Sequence, residues 1–463
     1  MKSKPQFFRV ASGLLLGAGM CATAGAQTAD ALINKLVEKG ILTTKEAGDL
    51  RVEATHDSSA ASVPKSSLPD WVSGVKMNSD FRARFEENNA QDADYHARDR
   101  YRYRLRLGAV VSLQDNFEIG VRLASGNPQT NPGGTLVGGQ PITANQDFNS
   151  LETRKFIWID AAYARWTAIK TTELTVSATV GKMDNPFALS NMIYDYDIDP
   201  EGAAIQLTHA LNSQHTLKLN NAFFALDEIN QTAGGGAGVS PISAGHDPYL
   251  YGSQLLLESK WVPQFETTVG VAAFDIAHKD ALRANVQPFY NSGNTRDPVT
   301  DALKYNFNPI VGSAAAIYKL ASAPCYPGEF PLKVTGEYMD NPGAPAKNRA
   351  YRAGATIGKA GKKGAWEINY RYQRLEADAW FDALEDDDNG AFYATGNPQL
   401  VGTGKANGWF GGTNVKGHLV QAAYSFTDFL NFTLTYYLND LIVNVPNAPS
   451  SAGHFMLDLN WKF

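Results

Sequence analysis

Four arginines, Arg100, Arg102, Arg104 and Arg106, occupy alternate positions in one short run of the chain. A guanidinium stays protonated at any working pH and presents a fork of donors, so a column of them gathers anions, repels cations or clamps carboxylates. An extended chain sends successive side chains to opposite faces. The run therefore puts the arginines on one face and Tyr101, Tyr103, Leu105 and Leu107 on the other. By the same rule Arg82, Arg84 and Arg122 fall on the polar face of the neighbouring stretches, and Arg352 and Arg371 join them from later ones. A cationic face backed by one suited to hydrocarbon is the pattern of a membrane β-barrel wall. On that reading Arg82, Arg84, Arg100, Arg102, Arg104, Arg106 and Arg122 line a wet lumen as an anion-attracting face. The competing reading is that they pair with acids and stiffen the wall.

The acids supply the counterpart. Asp184, Asp195, Asp197, Asp199 and Glu201 crowd one link, between the fifth and sixth strands. Folded inward against the arginines, this link forms a constriction with a transverse field; folded outward, it binds divalent cations at the surface. Asp386, Asp387 and Asp388, in a later link, read as facing solvent or ions that bridge lipopolysaccharide. The eight histidines are scattered, with no H-E-x-x-H and no cysteine pair, so no resident metal, cofactor or catalytic constellation is expected. The chain is not expected to be an enzyme. The glycine runs Gly234 to Gly236 and Gly411 to Gly412 lack the strand-to-helix setting of a phosphate loop.

Many elements are needed to position these residues. Two-residue alternation recurs in about sixteen segments, starting near Trp71, Arg98, Asn116, Thr153, Thr172, Pro200, Gln214, Pro248, Gln264, Asn306, Phe330, Asn348, Gly364, Val415, Phe429 and Ala452. Short connections alternate with long ones, as the turns at the two ends of an outer-membrane barrel do. An even count puts both chain ends on the periplasmic side. In the last segment Phe455, Leu457, Leu459, Trp461 and Phe463 share the lipid face, and this strand is expected to close the barrel on the first one. A terminal aromatic also serves barrel assembly. Facing of the strand near Trp158 is ambiguous from the pattern.

Composition agrees. A mean hydropathy of −0.28 is too polar for a helical membrane protein, and after residue 26 no apolar run approaches the roughly 18 that a spanning helix needs. The net charge of −6 is mild and gives no support to nucleic-acid binding. Residues 1–26 carry the marks of a secretory signal peptide: Lys2, Lys4 and Arg9, a small apolar stretch, then Ala24-Gly25-Ala26. Its removal takes Cys21 and leaves Cys325 without an intramolecular partner. Residues 27–54 have the periodicity of a short helical hairpin, with Gly40 as a stop and Thr43 and Glu46 as a capping box. This pair is either a spacer or a periplasmic tethering or oligomerisation element. Residues 55–70 read as a flexible linker, and 71–463 as the barrel.

Several stretches resemble a family of Gram-negative porins: Leu36 to Thr43 in the hairpin, Val121 to Gly126, Gly181 to Phe187, Asp195-Tyr196-Asp197 and Pro200-Glu201-Gly202. The resemblance implies an outer-membrane barrel with a water-filled diffusion channel, surrounded by lipid and lipopolysaccharide and assembled as a homotrimer. It implies passage of small hydrophilic solutes and ions, without naming one. The arginine face adds a lean toward anions. An anion-specific channel for phosphate or an organic acid, and a structural tether acting through the N-terminal helices, remain the alternatives.

Overall fold

The computed structural model describes residues 68–90, 97–130, 136–228, 246–283, 292–300, 302–390, 392, 411–444 and 449–463. The expected signal peptide, helical hairpin and nearly all of the linker lie outside the described residues. The described residues are all strand, turn and loop apart from three single 3-10 turns.

The strands are β1 (Val72–Ala90), β2 (Arg98–Leu113), β3 (Phe117–Ser125), β4 (Pro128–Thr130), β5 (Leu136–Gly139), β6 (Gln146–Asp147), β7 (Ile157–Lys170), β8 (Leu174–Lys182), β9 (Glu201–Ala210), β10 (His215–Ala225), β11 (Tyr249–Val262), β12 (Phe265–Ala277), β13 (Ile310–Leu320), β14 (Phe330–Asp340), β15 (Arg349–Gly358), β16 (Trp366–Leu375), β17 (Val415–Ser425), β18 (Leu430–Leu441) and β19 (Ser451–Lys462). Seventeen of them share one sheet, and the two-residue β6 merely caps the upper part of β2. The other sixteen form an antiparallel wall that closes where β1 pairs with β19, from Asp80 opposite Lys462 to Ala90 opposite Ala452. The starts differ from the sequence reading by at most a few residues. The β4–β5 hairpin has no counterpart in that reading, because it is three or four residues a side with no alternation to detect.

Side-chain alternation sorts the two faces. Ile119, Val121, Ile159, Val180, Ile205, Leu255, Leu257, Val269, Val271 and Val334 are exposed on the outside of the wall. A belt of this kind suits hydrocarbon. At β7 the alternation breaks, because the pairing of β3 with β7 slips between Arg122 and Leu123. Ile159 points out, whereas Asp160 and the buried Ala161 both avoid the outer face. A bulge inserts a residue and reverses the facing of the residues beyond it, and this is the physical reason that the pattern leaves Trp158 ambiguous. The tight turn from β2 to β3 places Asp115 and Asn116 in the left-handed region, with φ of 57° and 62°. Asp and Asn enter that region more readily than other side-chain-bearing residues.

Long links between β3 and β7, β8 and β9, β12 and β13, and β16 and β17 all leave from one end of the barrel. Parts of each turn back inside. Met192, Ile193 and Tyr194 from one link, Leu282, Leu303 and Phe307 from another, and Trp380, Phe381 and Leu384 from a third pack into a single apolar cluster. Inward residues of the wall complete it, among them Phe224, Leu250, Phe274, Val311, Met339 and Leu375. Phe274 bridges two of the links directly, with ring centroids 5.1 Å from Phe187 and 5.4 Å from Trp380. Gly252 makes room for this, since a Cβ there would collide with the Phe187 ring.

Candidate functional site

Inside the wall between β19 and β3, arginines and carboxylates interleave. Alternation aims Asp80, Arg82, Arg84 and Glu86 of β1 inward, opposite Arg106, Arg104, Arg102 and Arg100 of β2. Arg104 reaches Asp80 at 3.0 Å and Asp197 at 3.2 Å, and Arg106 reaches Asp80 at 2.7 Å. Arg84 takes both carboxylate oxygens of Asp458 on β19, at 2.7 and 2.9 Å. Glu86, fully buried at 0% exposure, lies against Arg100 and 3.2 Å from Arg102, which in turn reaches Asp147 at 2.7 Å. Arg82 donates to Asn145 at 2.8 Å and lies 4.0 Å from Asp197. Arg122 contacts Asp160, with Asp184 at 2.7 Å and Asp199 at 2.5 Å.

All seven arginines named from the sequence thus point inward, and each has a carboxylate beside it. Asp80, Glu86, Asp147, Asp160, Asp388 and Asp458 are the partners not singled out as site residues. Register was the missing signal, since facing positions on β1, β2 and β19 become known only once the strands are paired. Phe455, Leu457 and Trp461 stand on the opposite face of β19, where Phe455 and Trp461 meet Phe85 and Phe81 of β1.

The link from β8 to β9 folds inward. Three of its acids meet the arginines directly, Asp197 against Arg104 and Asp184 and Asp199 against Arg122. Burial opposes the charge on Asp197, but Arg104, Arg82 and Arg106 hold its carboxyl below the usual range. Glu201 instead begins β9 and lies 3.3 Å from Lys182.

The β16 to β17 link corrects a second expectation. Asp386, Asp387 and Asp388 do not all face solvent: Asp386 is buried, accepts from Arg371 at 2.9 Å and from Tyr437 at 3.2 Å, and contacts Asn191. Asp388 lies 3.9 Å from Arg84 and 3.7 Å from His454. Burial of Trp380, Phe381 and Leu384 pulls the link inside and carries the acids with it. The two inward links are joined by backbone bonds, Asp195 N to Leu384 O at 2.8 Å and Asp386 N to Asn191 O at 3.0 Å.

Between them, carboxylate oxygens of Asp195, Asp386 and Asp387 lie within 4.8 Å of one another. Burial and the neighbouring carboxylates push Asp195 and Asp387 well up, and burial pushes Asp386 up to about 6 against the pull of Arg371. A calcium ion takes about six to eight oxygens, and with Asp386 already committed to Arg371 this trio is better read as a protonatable contact between links.

A closed wall with an apolar outside, a charged inside and links folded into the lumen defines a pore-type membrane β-barrel. A family model described as "Putative porin" matches residues 90–309 and 333–463, and the chain belongs to that porin family. Among solved structures, it is similar to a mutant of the Rh. blastica porin at 10% identity and a TM-score of 0.38, over 84% of this chain and 100% of that one. It is similar to Pseudomonas putida OprB at 12% identity and 0.48, over 84% and 94%. It is similar also to Salmonella typhi OmpF, in complex with daunomycin, at 10% identity and 0.45, over 84% and 98%. No curated protein matches the chain.

Proposed function

We propose that this protein is an outer-membrane porin of a Gram-negative bacterium, exported through a cleaved signal peptide, assembled as a homotrimer and passing small hydrophilic solutes and ions by diffusion with a lean toward anions. The observation that carries the reading is the inward column from Arg82 to Arg122 in a closed wall whose outer face is apolar. The lean is modest, because every arginine of that column has a carboxylate within 4.0 Å, and a paired charge projects little field into the pore.

The test is single-channel current from the refolded chain in a planar bilayer under a KCl gradient. Stable open steps with a reversal potential on the anion side, moved toward the cation side when Arg102 and Arg104 become Glu, are the expected result. Silence overturns the diffusion reading. A cation preference indifferent to those changes overturns the role of the arginine column.

A further inference from the structure

The histidines are scattered along the chain, yet the fold brings two of them together. His246 lies in the link from β10 to β11, just ahead of β11, and His278 opens the link from β12 to β13. Register explains the meeting: Tyr249 pairs with Ala277, so the residues just beyond that pair are neighbours at the end of the barrel from which the long links leave. There the two imidazoles lie with ring centroids 4.7 Å apart and planes inclined at 42°. Both residues are exposed.

One hydrogen bond orients the second ring. His278 Nδ1 lies 2.8 Å from the backbone carbonyl oxygen of Asp247. A carbonyl only accepts, so Nδ1 donates and, in the neutral ring, Nε2 keeps the lone pair. A histidine that ligates a metal commonly donates its other N–H to a carbonyl in this way. Among the described residues, neither Nε2 of His278 nor either nitrogen of His246 has a hydrogen-bond partner. Tyr249 flanks the pair, its ring centroid 6.3 Å from that of His278 and 4.9 Å from that of Phe223. The adjacent cation, Lys279, is engaged with Asp280 at 2.7 Å and the Leu303 carbonyl at 2.8 Å. Other described histidines stand singly: His209 against the Glu173 carbonyl, His215 against Ser259, His418 against Tyr370 and His454 against Asp388.

The spacing suits a shared ligand. Two imidazoles bound to one ion through nitrogens at about 2.0 to 2.1 Å, with an angle between about 90° and about 109°, have ring centroids about 4.5 to 5.2 Å apart. Imidazole nitrogen favours zinc, copper and nickel, whereas magnesium and calcium take oxygen. We infer that His246 and His278 form a binding site for a divalent transition-metal ion at the mouth of the barrel. Water fills the rest of the coordination, and the ion joins the end of one long link to the start of another. The site lies apart from the arginine column and holds whether or not the barrel conducts.

The experiment is calorimetric titration of zinc chloride into the untagged, chelator-treated full chain folded in detergent. Uptake of one ion per chain is expected. His246→Gln and His278→Gln are each expected to weaken it at least about tenfold, since even a supporting partner of a metal ligand is worth about that much. His209→Gln, which removes an imidazole at the opposite end of the barrel, leaves uptake as it was. Magnesium chloride in about a hundredfold excess does not displace the zinc, because magnesium seeks oxygen. Absence of zinc uptake by the unaltered chain overturns the site. So does undiminished uptake in either glutamine variant that is still folded by gel heat-modifiability, an equal loss in His209→Gln, or displacement by magnesium, which would assign the ion to carboxylates. A further measurement needs no substitution: with one equivalent of copper(II), the electron paramagnetic resonance spectrum is expected to show coupling to two nitrogens, and coupling to fewer overturns the pair.

Discussion

From β19 to β3 the inner wall is held to the inward links chiefly by ion pairs, whereas from β9 to β16 apolar packing predominates, with the Arg371–Asp386 ion pair and the Arg352–Asn191 hydrogen bond set within it. In the first sector Asp197 meets Arg104, Asp184 and Asp199 meet Arg122, and Asp388 approaches Arg84. In the second, Phe187 lies against Phe224 and Phe274 of the wall and Trp380 against Phe274, while Phe381 meets Phe307 of the neighbouring link. The physical terms differ. Buried ion pairs contribute little net stability, because desolvation offsets attraction, yet each is expensive to break singly. Apolar packing stabilises in proportion to the area buried and is indifferent to direction. One sector fixes the orientation of the links, and the other supplies the adhesion.

This division can be broken from either side. The largest effect is expected from Trp380→Ala, which empties the centre of the apolar cluster: loss of about 4 kcal/mol, read as a lower urea midpoint in lipid vesicles, with a higher conductance as the link loosens. Asp458→Asn takes from buried Arg84 its bidentate partner, leaving Glu86 and Asp388 at 3.9 Å, and is expected to cost about 3 kcal/mol by the same unfolding measurement, while Arg84→Leu combined with Asp458→Leu recovers much of that loss.

A smaller, pH-dependent effect belongs to the junction of the links. Asp195, Asp386 and Asp387 are faced by Arg371 and Arg352 from β16 and β15, Tyr437 from β18, Arg102 from β2 and Asp197, Asp388 and Glu385 from the links themselves. Their pKa values are raised in the folded state, so the junction favours the protonated forms. Its stability is fully present below the ordinary carboxylate range and is lost as pH rises through about 6, the value for Asp386. Protease protection of the β16 to β17 link is expected to fall roughly tenfold between pH 5 and pH 8, and Asp387→Asn is expected to flatten that fall. The smallest effect is Tyr437→Phe, which removes one hydrogen bond to Asp386 and is expected to lower stability by about 1 kcal/mol.

The same contrast decides how much of the molecule is legible in its chain. The wall is, because its strands repeat an in-out pattern over 9 to 19 residues, interrupted at the β7 bulge, and register comes with closure. The arginine face is, because Arg100 to Arg106 alternate without interruption. The acids paired with it are visible as residues but not as partners. The apolar half is not legible, since Trp380, Phe381, Leu384 and Met192 to Tyr194 lie in aperiodic links, where an apolar residue gives no sign of facing inward. Asp386 is misplaced by the sequence for that reason: its acidity suggests solvent, and its neighbours decide otherwise.

The bond between Arg84 and Asp458 joins residues 374 positions apart in the chain. It crosses the line where the first strand meets the last, so neither charge finds the other until every strand between them is in place. An unclosed wall therefore holds one member of this pair on each of its two free edges, with Glu86 the acid nearest Arg84 on its own strand. Closing the cylinder satisfies both at once, so this pair reports closure itself rather than the pairing of neighbouring hairpins.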